Sequence, residues 1–173
     1  MRNALSGWPG IVLLALVLAV LQLWLRPLLP VDETRYLSVA WEMWQRGAFL
    51  VPYLNGEPYS HKPPLLFWLV HGLWWLTGVG EAVARWIFPL IMLSCLWLSA
   101  ALARRLWPHA DASLPAAVPW LLFGGLFWIN FYSLVQFDLL LVLAALLAWH
   151  GTLLALLQPR RGWLLVATAI GLG

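Results

Sequence analysis

Long apolar runs separated by short polar stretches make up most of this chain. The first run, from Trp8 to Leu25, carries no charge, follows Arg2, and is close to the ~20 residues that a membrane-spanning helix needs. No small-residue cleavage site ends it, so we predict an uncleaved anchor rather than a signal peptide. With Arg2 on the inside, the chain emerges on the outer face at Arg26.

Similar runs predict further spans at about 86–103, 115–133 and 139–157, and another that begins near 163. Together they predict an all-α, polytopic transmembrane protein. Because the last run continues to Gly173, we interpret residues 1–173 as the N-terminal part of a larger membrane domain.

Residues 35–46 follow a different pattern, with apolar and polar side chains on opposite sides of a helix plotted at 100° per residue. This helix is too polar to span, and Trp41 and Trp44 favour an orientation in the plane of the membrane surface. A turn-rich loop follows, marked by Gly47, Pro52, Asn55-Gly56 and Pro58.

Residues 63–80 are apolar but begin with two prolines, so they form either a span or a half-buried juxtamembrane helix. If they cross, Arg2 and Arg85 lie inside and the other eight Lys and Arg residues lie outside. If they do not cross, Arg2, Arg104-Arg105 and Arg160-Arg161 lie inside, which obeys the positive-inside rule in every short loop. We therefore predict one outer loop, from about 26 to 81, with juxtamembrane helices in it.

Composition narrows the class of protein. The chain is 63% hydrophobic and 10% charged, whereas roughly a quarter of the residues of a soluble domain are charged. The net charge is +3, but the arginine pairs stand at the ends of apolar runs, which excludes nucleic acid as the expected partner. Cys95 is the only cysteine, so the chain has no disulfide framework and no cysteine-based metal site.

The reactive side chains concentrate around the outer loop, which holds the only lysine, Lys62, and five of the seven acidic residues. Asp32 and Glu33 precede the amphipathic helix, where carboxylates complement the helix dipole. Alternatively, one of them acts as a general base on an acceptor group.

Lys62 follows His61 where the loop returns to the membrane. A lysine there either reaches lipid phosphates or, with Arg35 or Arg85, holds a departing phosphate. His61 is a metal ligand in one interpretation and a hydrogen-bonding surface residue in the other.

Two tyrosines and one further carboxylate complete the candidates. Tyr36 and Tyr59 are interface anchors or hydrogen-bond donors to a phosphate. Asp138, alone at a span end, indicates a site or a buried pair with Arg85 or another basic group of the outer loop.

The order of these residues resembles a known family. The quoted positions are Asp32-Glu33-Thr34-Arg35-Tyr36, Gly47, Pro52, Asn55-Gly56, Pro58-Tyr59, Lys62-Pro63-Pro64-Leu65 and Trp68. They resemble the first outer loop of bacterial integral-membrane glycosyltransferases of the GT-C superfamily. Within it, they are similar to the branch of protein O-mannosyltransferases and lipid A aminoarabinose transferases (ArnT-like).

The resemblance implies an undecaprenyl-phosphate-linked sugar donor, a lipid or protein acceptor, and inverting transfer among the lipids of the bacterial inner membrane, with the active loop facing the periplasm. It implies that Asp32 is the catalytic carboxylate and that Asp138 is a second acidic residue facing the cavity. The donor phosphate would contact Arg35, Tyr36, Tyr59 and Lys62, and we add Glu33 and Arg85 to this substrate-binding set.

One position departs from the family pattern. Aminoarabinose transferases carry a glutamate, implicated in metal binding, immediately before the lysine, whereas this chain has His61. Dependence on a divalent metal ion and aminoarabinose as the sugar are therefore both left open.

Two other classes of protein remain as alternatives. In a transporter or flippase for lipid-linked substrates, Asp138 and Lys62 would belong to a polar pathway; a non-catalytic membrane fragment is the third interpretation. Transporters have broken spans with charges at the midplane. Here the charges cluster in the outer loop, which favours an enzyme.

Overall fold

The structure, a computed structural model, describes residues 7–125 and 134–172. The helices are α1 (Trp8–Leu25), α2 (Asp32–Arg46), α3 (Leu65–Thr77), α4 (Glu81–Arg85), α5 (Ile87–Leu106), α6 (Ser113–Phe123), α7 (Asp138–Ala155) and α8 (Pro159–Leu172). One antiparallel hairpin, β1 (Tyr53–Leu54) with β2 (Glu57–Pro58), lies between α2 and α3. The predicted all-α membrane architecture is confirmed.

Within the described residues, three helical segments are long and apolar enough to cross a membrane: α1, the segment Glu81–Leu106 that combines α4 with α5, and α7. The span predicted at 115–133 falls partly on α6 and partly outside the described residues. The helix α3 has 13 residues, or about 20 Å of helix, which is well short of the ~30 Å hydrocarbon core of a bilayer.

The helix α1 packs through a narrow stripe of side chains. Ile11, Ala15 and Ala19 are its buried residues, and their spacing of four places them on one face. That face meets α5, while large side chains such as Leu13 and Trp24 are exposed. Small residues at the contact and large apolar residues elsewhere are typical of a helix that faces lipid on its other sides.

The helix α2 begins at Asp32, earlier than the predicted start at residue 35. Carboxylates suit the first turn because they meet the positive end of the helix dipole. Neither Asp32 nor Glu33 caps the helix, since the N-cap is Val31 and no side-chain cap hydrogen bond is made. The helix ends as predicted at Gly47, whose φ of 63° is left-handed and whose N–H bonds to the last turn.

The predicted turn-rich loop forms a two-residue hairpin. Asn55 (φ 55°) and Gly56 (φ 88°) both have positive φ, as in the type I′ turn that Asn-Gly favours. Glu42 of α2 accepts the N–H of Gly56 at 2.8 Å, and the N–H of Tyr59 donates to the carbonyl of Pro52 at 2.8 Å. The loop is therefore held against α2.

Two histidines to which the sequence assigned no role join neighbouring helices. The Nε2 atom of His71 in α3 lies 2.8 Å from the carbonyl oxygen of Ala40 in α2. The Nε2 atom of His150 in α7 lies 2.9 Å from the carbonyl oxygen of Leu98 in α5. Both rings are buried, so each contact satisfies a polar group between packed helices.

Candidate active site

The Glu33 carboxylate is the centre of a buried ionic cluster. Arg26 donates to both of its oxygens, at 2.6 Å to Oε2 and 3.1 Å to Oε1. The backbone amides of Leu29 and Val135 donate at 2.8 and 3.0 Å, and Nη2 of Arg85 lies 3.4 Å from Oε2. Glu33 thus ties the linker after α1, the helix α4 and the segment before α7 to the start of α2.

These donors set the charge state of Glu33. Burial by itself would raise the pKa of this carboxyl, but hydrogen bonds from Arg26 and from the Leu29 and Val135 amides outweigh burial, so the pKa lies below its usual value. An ionised carboxylate with this many donors is a weak proton acceptor. This environment is typical of a carboxylate that stabilises the structure. The expectation that Glu33 contacts the donor stays a prediction.

Arg85 pairs with Glu33 and not with Asp138, so that expected pair is wrong. Its Nη1 atom also donates to the carbonyl oxygen of Arg26 at 3.0 Å, and the side chain is buried. The helix α4 places Arg85 against the linker after α1, where Glu33 already lies. Asp138 is the exposed first residue of α7, where the helix dipole and solvent stabilise its charge with no basic partner among the described residues.

Asp32 has an environment unlike that of its neighbour. Its side chain is 58% exposed, and its carboxylate accepts Nη2 of Arg35 at 2.6 Å. The preceding residue, Val31, has φ 78° and ψ −66°, a γ-turn conformation that is strained for a β-branched side chain. The strained turn and the buried cluster together fix where α2 begins, and Asp32 faces outward from that point.

Arg35 connects Asp32 to two tyrosines. Its guanidinium carbon lies 5.2 Å from the centroid of the Tyr36 ring. Burial raises the pKa of Tyr59, while the positive charge of the nearby Arg35 opposes that rise. Both tyrosine side chains are buried. The Tyr59 hydroxyl therefore keeps its proton at neutral pH and can donate it in a hydrogen bond.

Phe137, which the sequence did not single out, lies at the centre of this group. Its ring meets the Tyr36 ring edge to face at 5.1 Å and the Phe67 ring at 5.7 Å. The ammonium nitrogen of Lys62 lies 5.3 Å from the centroid of the same ring. The residue immediately before Asp138 is therefore packed against two of the four predicted phosphate-binding residues, Tyr36 and Lys62.

Lys62 differs from the other cations of the outer loop. Arg26 and Arg85 pair with Glu33, Arg35 pairs with Asp32, and Arg46 pairs with Glu42. Within the part of the chain that the structure describes, Lys62 has no carboxylate within ion-pair distance and faces an aromatic ring instead. Among the described cations of the outer loop, Lys62 is thus the one whose charge is not offset by a carboxylate partner.

The His61 ring lies against the Tyr59 ring, with centroids 5.2 Å apart and planes inclined by 31°. Across residues 7–125 and 134–172, no group of three or more His, Cys, Asp or Glu side chains is placed to hold a metal ion. The described residues around His61 therefore do not fit a metal site.

These groups can perform two tasks together. The exposed Asp32 carboxylate can accept a proton, and Lys62, with the Tyr36 and Tyr59 hydroxyls, can surround an anion.

Comparison with known proteins identifies a family that agrees with the resemblance of the outer loop. Residues 61–173 match the dolichyl-phosphate-mannose-protein mannosyltransferase family. The chain belongs to this family.

Two relatives with named activities align with most of this chain. The chain is 32% identical over 145 residues to the undecaprenyl phosphate-alpha-4-amino-4-deoxy-L-arabinose arabinosyl transferase of Pectobacterium atrosepticum, covering 82% of this chain and 26% of the relative. It is 28% identical over 185 residues to transferase 1 of the same name from Pseudomonas fluorescens, covering 99% of this chain and 31% of the relative.

A solved structure extends the likeness to three dimensions. ArnT from Cupriavidus metallidurans, crystallised with undecaprenyl phosphate, superimposes with a TM-score of 0.79 at 26% identity, covering 96% of this chain and 31% of that one. The chain of 173 residues thus spans about a third or less of the length of these relatives.

Sequence reasoning missed three residues of the site: Arg26, Phe137 and Gln136. The side chain of Gln136 is buried, and its Nε2 atom has no hydrogen-bond partner among the described residues. Arg26 bonds to Glu33 within the outer loop, whereas Phe137 and its neighbour Gln136 are far from that loop in sequence. For Gln136 and Phe137, the only signal in the sequence was their position directly before Asp138, a residue already singled out.

Proposed function

We propose that the full-length protein containing this chain is a glycosyltransferase. It moves a sugar from a polyprenyl-phosphate donor to a lipid or protein acceptor. The family, the names of the aligned relatives and the undecaprenyl phosphate bound to the similar ArnT structure support this proposal. The observation that carries it is Lys62, a cation that has no carboxylate partner among the described residues and that shares the Phe137 ring with Tyr36.

Asp32 is the group proposed to start the reaction. It is exposed and has one partner, Arg35, so an acceptor can approach its second oxygen. The carboxylate takes the proton from the acceptor hydroxyl as the acceptor oxygen attacks the anomeric carbon of the sugar. Attack opposite the phosphate inverts the configuration at that carbon.

The bond between the anomeric carbon and the phosphate oxygen breaks in the same step, and both its electrons leave with the polyprenyl phosphate. The additional negative charge on the phosphate is stabilised by Lys62 and Arg35 and by hydrogen bonds from the Tyr36 and Tyr59 hydroxyls. Fixed donors of this kind act most strongly where charge develops during the reaction. Asp138, at the start of α7, is proposed as a second acidic residue of the cavity.

The proposed location is the outer face of the bacterial inner membrane. The helix α5 has 20 residues and ends with Arg104 and Arg105 in its last turn, so about 30 Å separates these arginines from the Glu33 cluster at its other end. The positive-inside rule assigns the arginine end to the cytoplasm. The candidate site then lies at the periplasmic surface.

Charge placement also distinguishes this proposal from a transporter. In the three candidate spans, the described charged residues lie at the ends: α1 has none, Glu81–Leu106 has them in its first and last turns, and α7 has only Asp138 at its start. A transport pathway needs polar groups near the midplane. This distribution favours chemistry at the membrane surface.

The test is turnover by the full-length protein in proteoliposomes supplied with undecaprenyl-phosphate-linked sugars, measured as released undecaprenyl phosphate. Asp32→Asn is expected to lose activity by about 10²–10⁴-fold while retaining wild-type expression and membrane insertion. Glu42→Gln is the matched control, because Glu42 lies on the same helix and also pairs with an arginine. Undiminished turnover in Asp32→Asn would exclude Asp32 as the base. Movement of the donor between leaflets without turnover would favour the transporter.

A further inference from the structure

We propose that Phe137 is a positioning residue for the donor phosphate, acting through Lys62. This inference rests on the proposed function and adds a residue outside the outer loop to the donor site. Phe137 does not touch the phosphate in this proposal. Its ring holds the Lys62 ammonium and the Tyr36 ring in the arrangement that the phosphate meets.

The geometry places the Phe137 ring under both groups at once. Lys62 Nζ lies 5.3 Å from the ring centroid, within the ~6 Å over which the negative face of an aromatic ring attracts a cation. The Tyr36 ring stands almost perpendicular to it, with an interplanar angle of 83° and a centroid distance of 5.1 Å. One side chain thus fixes the spacing between a cation in the loop before α3 and a phenol in α2.

An aromatic partner has a consequence that a carboxylate would not have. A carboxylate would fix the Lys62 ammonium but cancel its charge, as Glu33 does for Arg26 and Glu42 does for Arg46. The ring restrains the ammonium and leaves its full positive charge available to a phosphate. Restraining a flexible lysine before binding also reduces the conformational entropy lost when the donor arrives.

Phe137 is itself firmly held. Its side chain is buried, and a third ring, Phe67 of α3, packs against it with centroids 5.7 Å apart and planes at 78°. Two residues earlier, the Val135 amide is bonded to Glu33. The Glu33 cluster therefore anchors the backbone that carries Phe137, and the ring transmits that position to Lys62.

The test measures the dissociation constant of undecaprenyl phosphate for the full-length protein in nanodiscs, together with KM and kcat for a lipid-linked sugar. Phe137→Leu keeps an apolar side chain but removes the ring. Mono-, di- and trifluorophenylalanine at position 137 keep the shape while progressively weakening the negative face of the ring. Phe67→Leu is the matched control, because Phe67 is buried in the same cluster and contacts Phe137.

Phe137→Leu is expected to weaken undecaprenyl phosphate binding by about three- to tenfold, and Phe137→Tyr to restore most of that loss. The fluorinated series is expected to weaken binding stepwise at unchanged thermal stability. The KM for the donor should rise by more than kcat falls, and the KM for the acceptor should not change. Phe67→Leu should lower thermal stability while leaving donor binding within about twofold of wild type.

Equal binding by wild type and the whole fluorinated series would overturn the inference, because a role in packing alone does not depend on ring charge. Equal weakening by Phe67→Leu and Phe137→Leu would overturn it as well. Both results leave the proposed function intact if wild type binds and turns over the donor. A wild-type protein that binds no undecaprenyl phosphate would contradict the proposed function itself, and this inference with it.

Discussion

Asp32 and Glu33 are adjacent carboxylates with opposite environments. The Asp32 side chain is 58% exposed and meets one arginine, whereas the Glu33 side chain is 2% exposed and accepts hydrogen bonds from two arginines and two backbone amides. An exposed carboxylate can exchange protons with a substrate. A buried, fully bonded one holds chain segments together. In the proposed mechanism, one acidic dipeptide thus supplies both the proton acceptor, Asp32, and the buried group that holds the surrounding segments together, Glu33.

The largest expected effect comes from disrupting the buried ionic cluster around Glu33. Glu33→Gln removes the buried negative charge that Arg26 and Arg85 contact, and removing one partner of a buried pair costs about 3–5 kcal/mol of unfolding free energy. We expect a marked fall in thermal stability and in membrane abundance, measured by denaturation of the purified protein in detergent. Unchanged stability would mean that the cluster is not what holds α2, α4 and the segment before α7 together.

The next largest effect is expected at Lys62, near the exposed Asp32 side of the site. Lys62→Ala is expected to lower kcat/KM for the donor by about 10²-fold, since it removes a cation at the developing phosphate charge, with little change in stability. Arg46→Ala is the control: Arg46 also lies over a ring, 4.6 Å from the Tyr53 centroid, but it is already paired with Glu42. Equal losses in the two variants would indicate a general effect of loop charge.

A smaller effect is expected from lowering the pH, which removes the contribution of the Glu33 carboxylate to stability. Because the pKa of Glu33 in the folded protein lies below its ordinary value of 4.5, the stability it contributes is fully present above pH 4.5 and is lost as the pH falls through the folded pKa. Thermal denaturation of wild type between pH 7 and pH 3 should show this loss below about pH 4.5. Glu33→Gln should show a smaller decline over the same range, and parallel curves would contradict the assignment.

Much of the scaffold could be predicted from the sequence because its signals are local. The uncharged run that predicts the first span has the same bounds as α1. The Asn55-Gly56 pair predicts a turn and forms one, since both residues take positive φ readily. The amphipathic pattern of residues 35–46 marks the body of α2, although it does not reveal the first turn.

The division of labour between Asp32 and Glu33 could not be predicted in this way. Helical periodicity aligns Asp32 with the buried Tyr36, and Glu33 with the buried Leu37, so it favours neither carboxylate as the buried one. The choice depends on Arg85 and the Val135 amide, which are distant in sequence. The same distance hides Phe137 from the outer loop and led to the wrong pairing of Asp138 with Arg85.

The most direct test of this account compares Asp32→Asn with Glu33→Gln in one preparation of the full-length protein, measuring turnover of a lipid-linked sugar and thermal stability for both. The account predicts that Asp32→Asn loses turnover and keeps wild-type stability, while Glu33→Gln loses stability and retains turnover in the fraction that remains folded. If Asp32→Asn retained turnover, or if folded, fully stable Glu33→Gln were inactive, the roles assigned to the two carboxylates would be wrong.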